Sequence, residues 1–284
     1  MKFDKWAFID ISRDSVNFSQ VYGVEINSDS LAKILPFSSS QNESLKYILI
    51  DDMVYFTYQR MNGQTGKGIV LVFEPANVPD NLLGLVPEIA KRIDTPLSES
   101  SLVLTAHDIR PEPIQLKAFD IAIYSLLARV PTIIVGDQEE VLKIFNAIFI
   151  SIPQEFKKGL SFVSQSTSLS ENVNLIGMPF SDEVLREISA SRGKYTTLVL
   201  GDRVYGQYSS QFSKKLASLA SMGQYNRIKN LLEEFWQIIT ESDNFPSTLD
   251  FATKNGLHLS DAQLALIMRA NYFGKDVPQG LLKW

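Results

Sequence analysis

Residues 1–74 are built mainly from short segments of aromatic and β-branched residues that are bounded by turn residues. This pattern is typical of β-strands, and the segments on either side of Asp51 and Asp52 are spaced as in a hairpin. The segment 61–67, which contains Gly63, predicts a second hairpin with a longer, flexible tip. We therefore predict an antiparallel sheet whose strands include 15–26, 46–50, 53–58 and 68–73.

The pattern changes to helical spacing beyond residue 75. Apolar residues recur every three or four positions across 82–93, which predicts one amphipathic helix packed on a face of the sheet. Asp80 or Asn81 is expected to cap its first turn, because both side chains can accept a hydrogen bond from a free backbone N–H. Pro87 is expected to kink it, since proline removes a helical hydrogen bond.

Strand and helix patterns alternate between residues 101 and 205. Such alternation indicates a mostly parallel sheet that is covered by helices on both faces. The helix predicted at 139–150 is apolar nearly all round, so we expect it to be well buried. The predicted strands are 101–106, 131–136, 160–164, 173–178 and 195–200, and the other predicted helices end near residue 128 and span 181–190.

From residue 209 onward the pattern is helical throughout. Two apolar stripes that meet at Gly223 predict two antiparallel helices. Shorter helices are predicted at 246–255 and 260–273, with Ser260 as an N-cap and Gly274 as a stop signal.

The fold class that follows is α+β and then α/β, in three parts. An antiparallel sheet with a helix occupies 1–95, a mostly parallel α/β unit occupies 100–205, and a helical C-terminal region occupies 206–284. The polar segment 94–100, which contains a proline, is the predicted linker between the first two parts.

Charge and composition narrow the classes of partner. The chain of 284 residues has 27 basic and 32 acidic side chains, a formal net charge of −5, and no run of five or six like charges, so we expect no nucleic-acid partner. Charges in the first ten residues argue against a secretion signal, and the apolar runs are too short to span a bilayer. We expect a cytoplasmic protein, and the absence of cysteine excludes disulfides and thiol chemistry.

Three motifs superficially suggest phosphate binding or carboxylate chemistry. The segment 63–68, GQTGKG, lacks the first glycine and the Ser/Thr of a phosphate-binding loop and lies between two predicted strands. Asp137 and Glu140 are spaced to cap the helix that follows Gly136. Their carboxylates would then occupy the helix N-terminus, where an anion would otherwise bind. The pair at 51–52 is expected to point to water from a hairpin turn.

The histidines and serines do not form a recognisable catalytic or metal-binding pattern. His107 and His258 lie far apart, and His107 with its neighbouring aspartate supplies at most two ligands where a metal site needs three or four. No Gly-x-Ser-x-Gly elbow of a serine hydrolase surrounds Ser161. The serine-rich run 161–170 is expected to be a strand end and a solvated loop, and we expect no cofactor.

Two arginines are candidates for a role at a partner's active site. Arginine is the residue with which one protein can stabilise the transition state of GTP hydrolysis in another. Arg60 borders the predicted hairpin tip, and Arg110 lies in a predicted loop where Pro111 keeps the backbone extended. Most loop arginines are simply solvated, so both remain candidates on residue type and position alone.

The order of the predicted parts resembles a known family. A strand ending at Val135 and Gly136, an apolar helix, a stop at Pro153 and a new strand opening at Leu160 resemble part of the longin-plus-DENN layout, over about the segment 132–166. The chain is also similar to the bacterial GTPase-associated proteins related to that layout. This resemblance implies a regulator or scaffold that binds a small Ras-like GTPase through the edge of the longin-like sheet and through the α/β unit, without a cofactor.

Two other classes of function stay open. One is an enzyme with a carboxylate or serine site at the carboxyl ends of the strands in the α/β unit, which a pocket with convergent polar groups would favour. The other is a structural subunit of a homo- or hetero-oligomer, in which the helical tail that includes Leu281, Leu282 and Trp284 docks onto a neighbouring subunit.

Overall fold

The computed structural model describes most of the chain up to residue 241 and a few positions of a later helix. The described residues are 1–12, 15–26, 28–35, 43–95, 102–107, 114–169, 172–191, 194–201, 204–205, 209–241, 261, 264–265 and 267–268. None of the helices described there combines the length and the apolar composition that crossing a bilayer requires.

Twelve strands are found within these ranges, and two short 3-10 helices occupy Pro75–Asn77 and Leu82–Leu85. The strands are β1 (Lys2–Phe3), β2 (Trp6–Ile11), β3 (Val16–Tyr22), β4 (Glu43–Ile50), β5 (Met53–Asn62), β6 (Thr65–Phe73), β7 (Leu102–Val103), β8 (Thr132–Val135), β9 (Phe162–Val163), β10 (Leu175–Met178), β11 (Thr196–Val199) and β12 (Val204–Tyr205). The α-helices of the same ranges are α1 (Ser28–Ile34), α2 (Val86–Arg92), α3 (Leu116–Ala128), α4 (Gln138–Ser151), α5 (Gln154–Lys157), α6 (Asp182–Ala190), α7 (Gln211–Ser221) and α8 (Tyr225–Glu241).

Ten of the strands form one mixed sheet in the order β12-β11-β8-β10-β9-β4-β5-β6-β2-β3. The half from β4 to β3 is antiparallel, and the strands β9, β10, β8 and β11 are parallel, as the two sequence patterns predicted. The halves join where Lys46 and Tyr47 of β4 pair with Val163 and Phe162 of β9. The protein is therefore of mixed α/β class, and its sheet continues across the predicted linker. The three-part domain division stays a prediction.

Helices cover both faces of the large sheet. On one face, the buried side chains of β2, β5 and β6 form a core with α2, α3 and α4, and α7 packs on α3 while α8 packs on α4. On the other face, residues of α1 and α6 cover a second apolar cluster. Helix α4 is buried over most of its surface, as its all-round apolar sequence predicted.

Side-chain caps mark the beginnings of three helices. The Asp137 carboxylate caps α4, as predicted, by accepting a hydrogen bond from the backbone N–H of Glu139, but among the described residues Glu140 adds no reciprocal bond to this cap. Ser181 caps α6 in the same way, and Ser210 forms a reciprocal capping box with Ser213 at the start of α7. These bonds satisfy N–H groups that the first turn of a helix leaves without a partner.

Several local predictions are corrected by the structure. Residues 102–106 of the predicted strand 101–106 are not part of the parallel sheet, because only Leu102–Val103 among them is a strand and it pairs antiparallel with β1 in a separate two-stranded sheet. The hairpin at 61–67 has a tight turn at residues 63–64, because β5 and β6 pair up to Asn62 and Thr65. Pro87 is the second residue of α2, which follows a 3-10 turn, and it does not kink a longer helix, since the first helical turn needs no N–H from proline.

The capping prediction at 80–81 is also wrong. Asn81 makes no side-chain cap, and the Asp80 carboxylate binds Lys157 instead. The predicted helix at 246–255 lies outside the described residues, as does most of the one at 260–273, although Asp261 and Met268 are helical.

Candidate interaction surface at the free edge of the sheet

Among the residues that the structure describes, β3 is the last strand at one end of the large sheet. Within the described residues it pairs with β2 alone, so the backbone groups of its outer side have no strand partner there. Its sequence, VNFSQVY, carries no charged residue and no proline, which are two of the devices that keep foreign strands from pairing with an edge. Val21 is 41% exposed. The strand therefore offers an uncharged template for another strand.

A β-bulge interrupts this edge. Phe8 of β2 pairs with Gln20 while Ile9 pairs with Phe18, which leaves Ser19 as the extra residue of β3. A bulge bends the strand and changes the direction of nearby side chains. Ser19 and Gln20 line a cavity of about 240 Å³ beside the edge, together with Phe8, Ile9, Asp10, Lys67, Ile93 and Asp94.

A row of polar side chains crosses the sheet at the same level. Residues that pair directly on neighbouring strands share a face of the sheet. Five strands contribute one polar residue each to this row, and the pairing runs from Glu43 through Arg60, Lys67 and Asp10 to Asn17. We call these five strand residues the polar row. Asp94, which follows α2, is not one of them but lies over the middle of the row.

Arg60, one of the two candidate fingers, lies inside the polar row. Its guanidinium donates hydrogen bonds to Glu43 Oε1 at 3.0 Å and to Asp94 Oδ2 at 3.2 Å. It also donates to the Tyr58 hydroxyl at 3.2 Å and to the Ala90 carbonyl at 3.3 Å. Burial alone would lower the pKa of Arg60, but contacts with Tyr58 and Glu43 raise it. In this arrangement Arg60 holds the end of α2 against the sheet.

The charges of the polar row and of Asp94, taken together, are not fully compensated. Asp94 accepts from Arg60 and also lies 3.8 Å from the ammonium of Lys67. Asp10 faces Lys67 across the strand pair, yet it makes no ion pair with any of the described residues. Glu43, Asp94 and Asp10 give three negative charges against the two positive charges of Arg60 and Lys67, so the group carries a net charge of −1.

The other predicted site residues are not brought to this edge. Arg110 and His258 lie outside the described residues. The His107 ring nitrogen Nε2 lies 3.4 Å from Glu88 Oε1, on the surface. Asp51 and Asp52 are exposed in a hairpin turn with φ of 49° and 60°, as the sequence predicted. Among the described residues no three histidine, aspartate or glutamate side chains are grouped to hold a metal ion.

The serine-rich run has a structural role that the sequence did not predict. Ser164 and Ser166 are fully buried, so this part of the run is not a solvated loop. The Ser164 hydroxyl accepts a hydrogen bond from the N–H of Leu45 at 3.0 Å, and the Ser161 hydroxyl accepts from the N–H of Asn174 at 2.9 Å. The serines thus support the junction at which the two halves of the sheet meet.

A second cavity lies at the carboxyl ends of the parallel strands. It measures about 250 Å³ and lies beside the beginnings of α3 and α4 and Leu200, which follows β11. Three polar side chains, Gln115, Glu140 and Lys143, line it together with Ile114, Ala118, Ile144 and Leu200. The Lys143 ammonium also pairs with Glu139 at 3.0 Å.

The polar row was missed at the sequence level because its members lie far apart in the chain. The sequence does contain one signal, the two-residue period of each strand. Arg60 lies two residues after the buried Tyr58, and Asp10 lies two residues after the buried Phe8, so each pair shares a face of the sheet.

Comparison of the sequence with models of protein families and with curated proteins finds no match to either.

Proposed function

We propose that this protein is an interaction module that binds another protein by adding a strand to β3, and that its partner is a small Ras-like GTPase. The observation that carries the proposal is the free, uncharged edge of β3, which pairs with β2 alone among the described strands.

Strand addition suits this edge for a physical reason. An added strand forms main-chain hydrogen bonds along the whole edge, and its alternate side chains meet the two faces of the sheet. The seven residues of β3 are long enough for several such bonds, and no charge on them repels an incoming strand. The bulge at Ser19 gives the edge a shape by which partners can differ.

The partner class rests on the resemblance and on the order of the elements. An antiparallel block with α1 and α2 comes first, a parallel block follows, and α7 and α8 pack outside it. This order supports the proposed resemblance to the longin-plus-DENN layout. That resemblance implies that the edge of the first block and the α/β unit together contact the switch regions of a GTPase. An activator, a nucleotide-exchange factor and a scaffold all fit this surface.

The test is capture of partners by the tagged full-length chain from lysate of its host, with GDP and in parallel with a non-hydrolysable GTP analogue. We expect a Ras-like GTPase, identified by mass spectrometry, to be retained in one nucleotide state only. Val21→Lys places a charge on the exposed edge and should abolish retention. Val103→Lys makes the same change at the exposed position of strand β7 and should leave retention intact.

Other results would redirect the proposal. Equal loss with both lysine variants would show that the edge of β3 has no special role. Recovery of this chain alone, or of an assembly without a GTPase, would contradict the proposal of a GTPase partner and favour a structural subunit. The predicted docking tail of such a subunit lies outside the described residues.

The cavity at the carboxyl ends of the parallel strands favours a second candidate function, a small-molecule site of an enzyme. Ligands of α/β proteins bind outside these strand ends, and Gln115, Glu140 and Lys143 line the cavity there beside apolar side chains. A thermal-shift screen with nucleotides, amino acids and short carboxylic acids tests it. A compound that raises the melting temperature of the wild type but not of Lys143→Ala would support the site.

A further inference from the structure

The polar row ends at β3 in a way that defines one position of the added strand. Asp10 on β2 pairs with Asn17 on β3, and Asn17 is the outermost member of the row. A residue of an added strand that lies opposite Asn17 would continue the row as its sixth member. Because strands are spaced about 4.8 Å apart, its backbone would lie roughly 10 Å from that of Asp10.

We propose that the segment added to β3 carries a lysine or arginine opposite Asn17, and that this side chain crosses Asn17 to pair with Asp10. This inference rests on the proposed strand addition and names the chemistry that the partner must supply. The partner is an extended, otherwise uncharged segment with one basic residue on the face of the sheet that α2 covers.

Charge complementarity identifies the basic residue. Asp10 is exposed and lacks an ion pair among the described residues, whereas Asp94 is already bound by Arg60 and Lys67. A cation beside Asp10 would balance the three carboxylates and two cations of the group. An acidic residue at the same position would be repelled by the negative charges of Asp10 and Asp94.

Space and reach point to the same residue types. The cavity of about 240 Å³ opens beside Asp10, Ser19 and Gln20, so a long side chain that passes over Asn17 has room there. Asn17 is neutral and exposed, and its amide turns toward the Ser15 hydroxyl at 3.3 Å. Serine or threonine is too short to cross a neighbouring strand, while the stems of lysine and arginine can do so.

Three fluorescent peptides test the inference with the full-length protein. Each has nine residues of alternating threonine and valine, and the central residue is arginine, glutamine or glutamate. We expect fluorescence anisotropy at low salt to show the arginine peptide binding about fivefold more tightly than the glutamine peptide, and the glutamate peptide binding most weakly. High salt should reduce these differences.

Two variants with the same loss of one negative charge provide the control. Asp10→Asn should equalise binding of the arginine and glutamine peptides, whereas Asp52→Asn, in an exposed turn, should preserve the preference. Thermal unfolding checks that both variants are folded. Val21→Lys should abolish binding of all three peptides, because it places a charge on the edge strand that a paired strand would bury.

The inference fails if the arginine preference persists in Asp10→Asn, if both charge variants lose it equally, or if none of the peptides binds the wild type. Its failure can be separated from that of the proposed function. GTPase capture that is lost in Val21→Lys but unchanged in Asp10→Asn would retain strand addition and remove the selectivity for a basic residue.

Discussion

The ammonium of Lys157 lies 2.5 Å from Oδ1 of Asp80, although 77 residues separate them in the chain. The Lys157 side chain is 1% exposed and its ammonium lies 4.7 Å from the centre of the Phe149 ring, while the Asp80 side chain is 67% exposed. Burial therefore lowers the pKa of Lys157. The pKa of Asp80 is lowered too, because its bonds and charge contacts with Lys157 and Lys229 outweigh the effect of its own burial.

Asp80→Asn should destabilise the protein, because it leaves the ammonium of Lys157 buried without its counter-charge. We expect the free energy of unfolding in urea to fall by about 2 kcal/mol, less than for a fully buried pair because Asp80 is partly solvated. Lys229→Gln removes only the outer ammonium, 3.4 Å from Asp80 Oδ2, and should cost less than about 1 kcal/mol. Equal costs for the two variants would contradict the assignment.

Asp120 should make stability depend on pH. It is 9% exposed on α3 and accepts a hydrogen bond from the Ser213 hydroxyl of α7. Burial raises the pKa of Asp120 above its ordinary 3.8, although Ser213 and the charge of Lys214 oppose the shift. The folded state therefore binds the proton more tightly than the unfolded state, and the contribution of Asp120 to stability falls as pH rises from 3.8 through the folded pKa.

Asp120→Asn removes this titration, so the variant should gain stability relative to the wild type as pH increases toward neutrality. Urea denaturation at a series of pH values measures the difference. Asp137→Asn, at the exposed cap of α4, controls for the loss of one charge. A stability difference between wild type and Asp120→Asn that stays constant with pH would show that Asp120 does not cause the dependence.

Gly68→Ala should be destabilising. Gly68 lies on β6 between two paired strands, and a Cβ there would lie 2.7 Å from Cδ1 of Ile9 and 2.9 Å from the carbonyl oxygen of Tyr58. The backbone of β5 would have to move, so we expect a loss of about 1–3 kcal/mol in the free energy of unfolding.

The control is Gly63→Asn in the turn between β5 and β6. Gly63 has a φ of 65° and no atom close to where a Cβ would lie, and asparagine tolerates this left-handed conformation. We expect its stability to stay near that of the wild type. A similar loss at both positions would mean that crowding at Gly68 is not the cause.

Arg60→Ala should loosen the end of α2 from the sheet, because it removes the donor shared by Glu43, Asp94 and the Ala90 carbonyl. We expect about 1 kcal/mol of destabilisation in urea, since the group is about one-third exposed. Arg60→Lys should recover only part of it, because lysine cannot donate in a fork to two carboxylates.

Once a GTPase partner is identified, the same two variants test whether Arg60 acts as an arginine finger, the residue that stabilises the transition state of GTP hydrolysis. A finger would lose on the order of 10³-fold in stimulated hydrolysis on replacement by either residue. Because Arg60 would first have to release Glu43 and Asp94, we expect stimulated hydrolysis, measured by phosphate release, to change less than about tenfold in both variants.

The sequence by itself determined those elements whose signals are local. Short runs of aromatic and β-branched residues between turn residues identified β5 and β6, the turn at Asp51 and Asp52, and the antiparallel character of the first block. The helical period and a capping aspartate placed α4 within a residue of its observed start. These signals depend on neighbouring residues and on backbone preferences, which a short window of sequence contains.

Only the tertiary structure decided how the two halves of the sheet join, where the polar row runs and which partner Asp80 takes. Backbone hydrogen bonds between strands are the same for every residue, so the sequence does not specify that β4 pairs with β9. The register that aligns Asp10 and Asn17 with Arg60 is fixed by burial of the opposite strand faces. Asp80 pairs with the buried ammonium of Lys157, 77 residues away, instead of capping a helix, because an unpaired charge in the core costs more free energy than a missing cap.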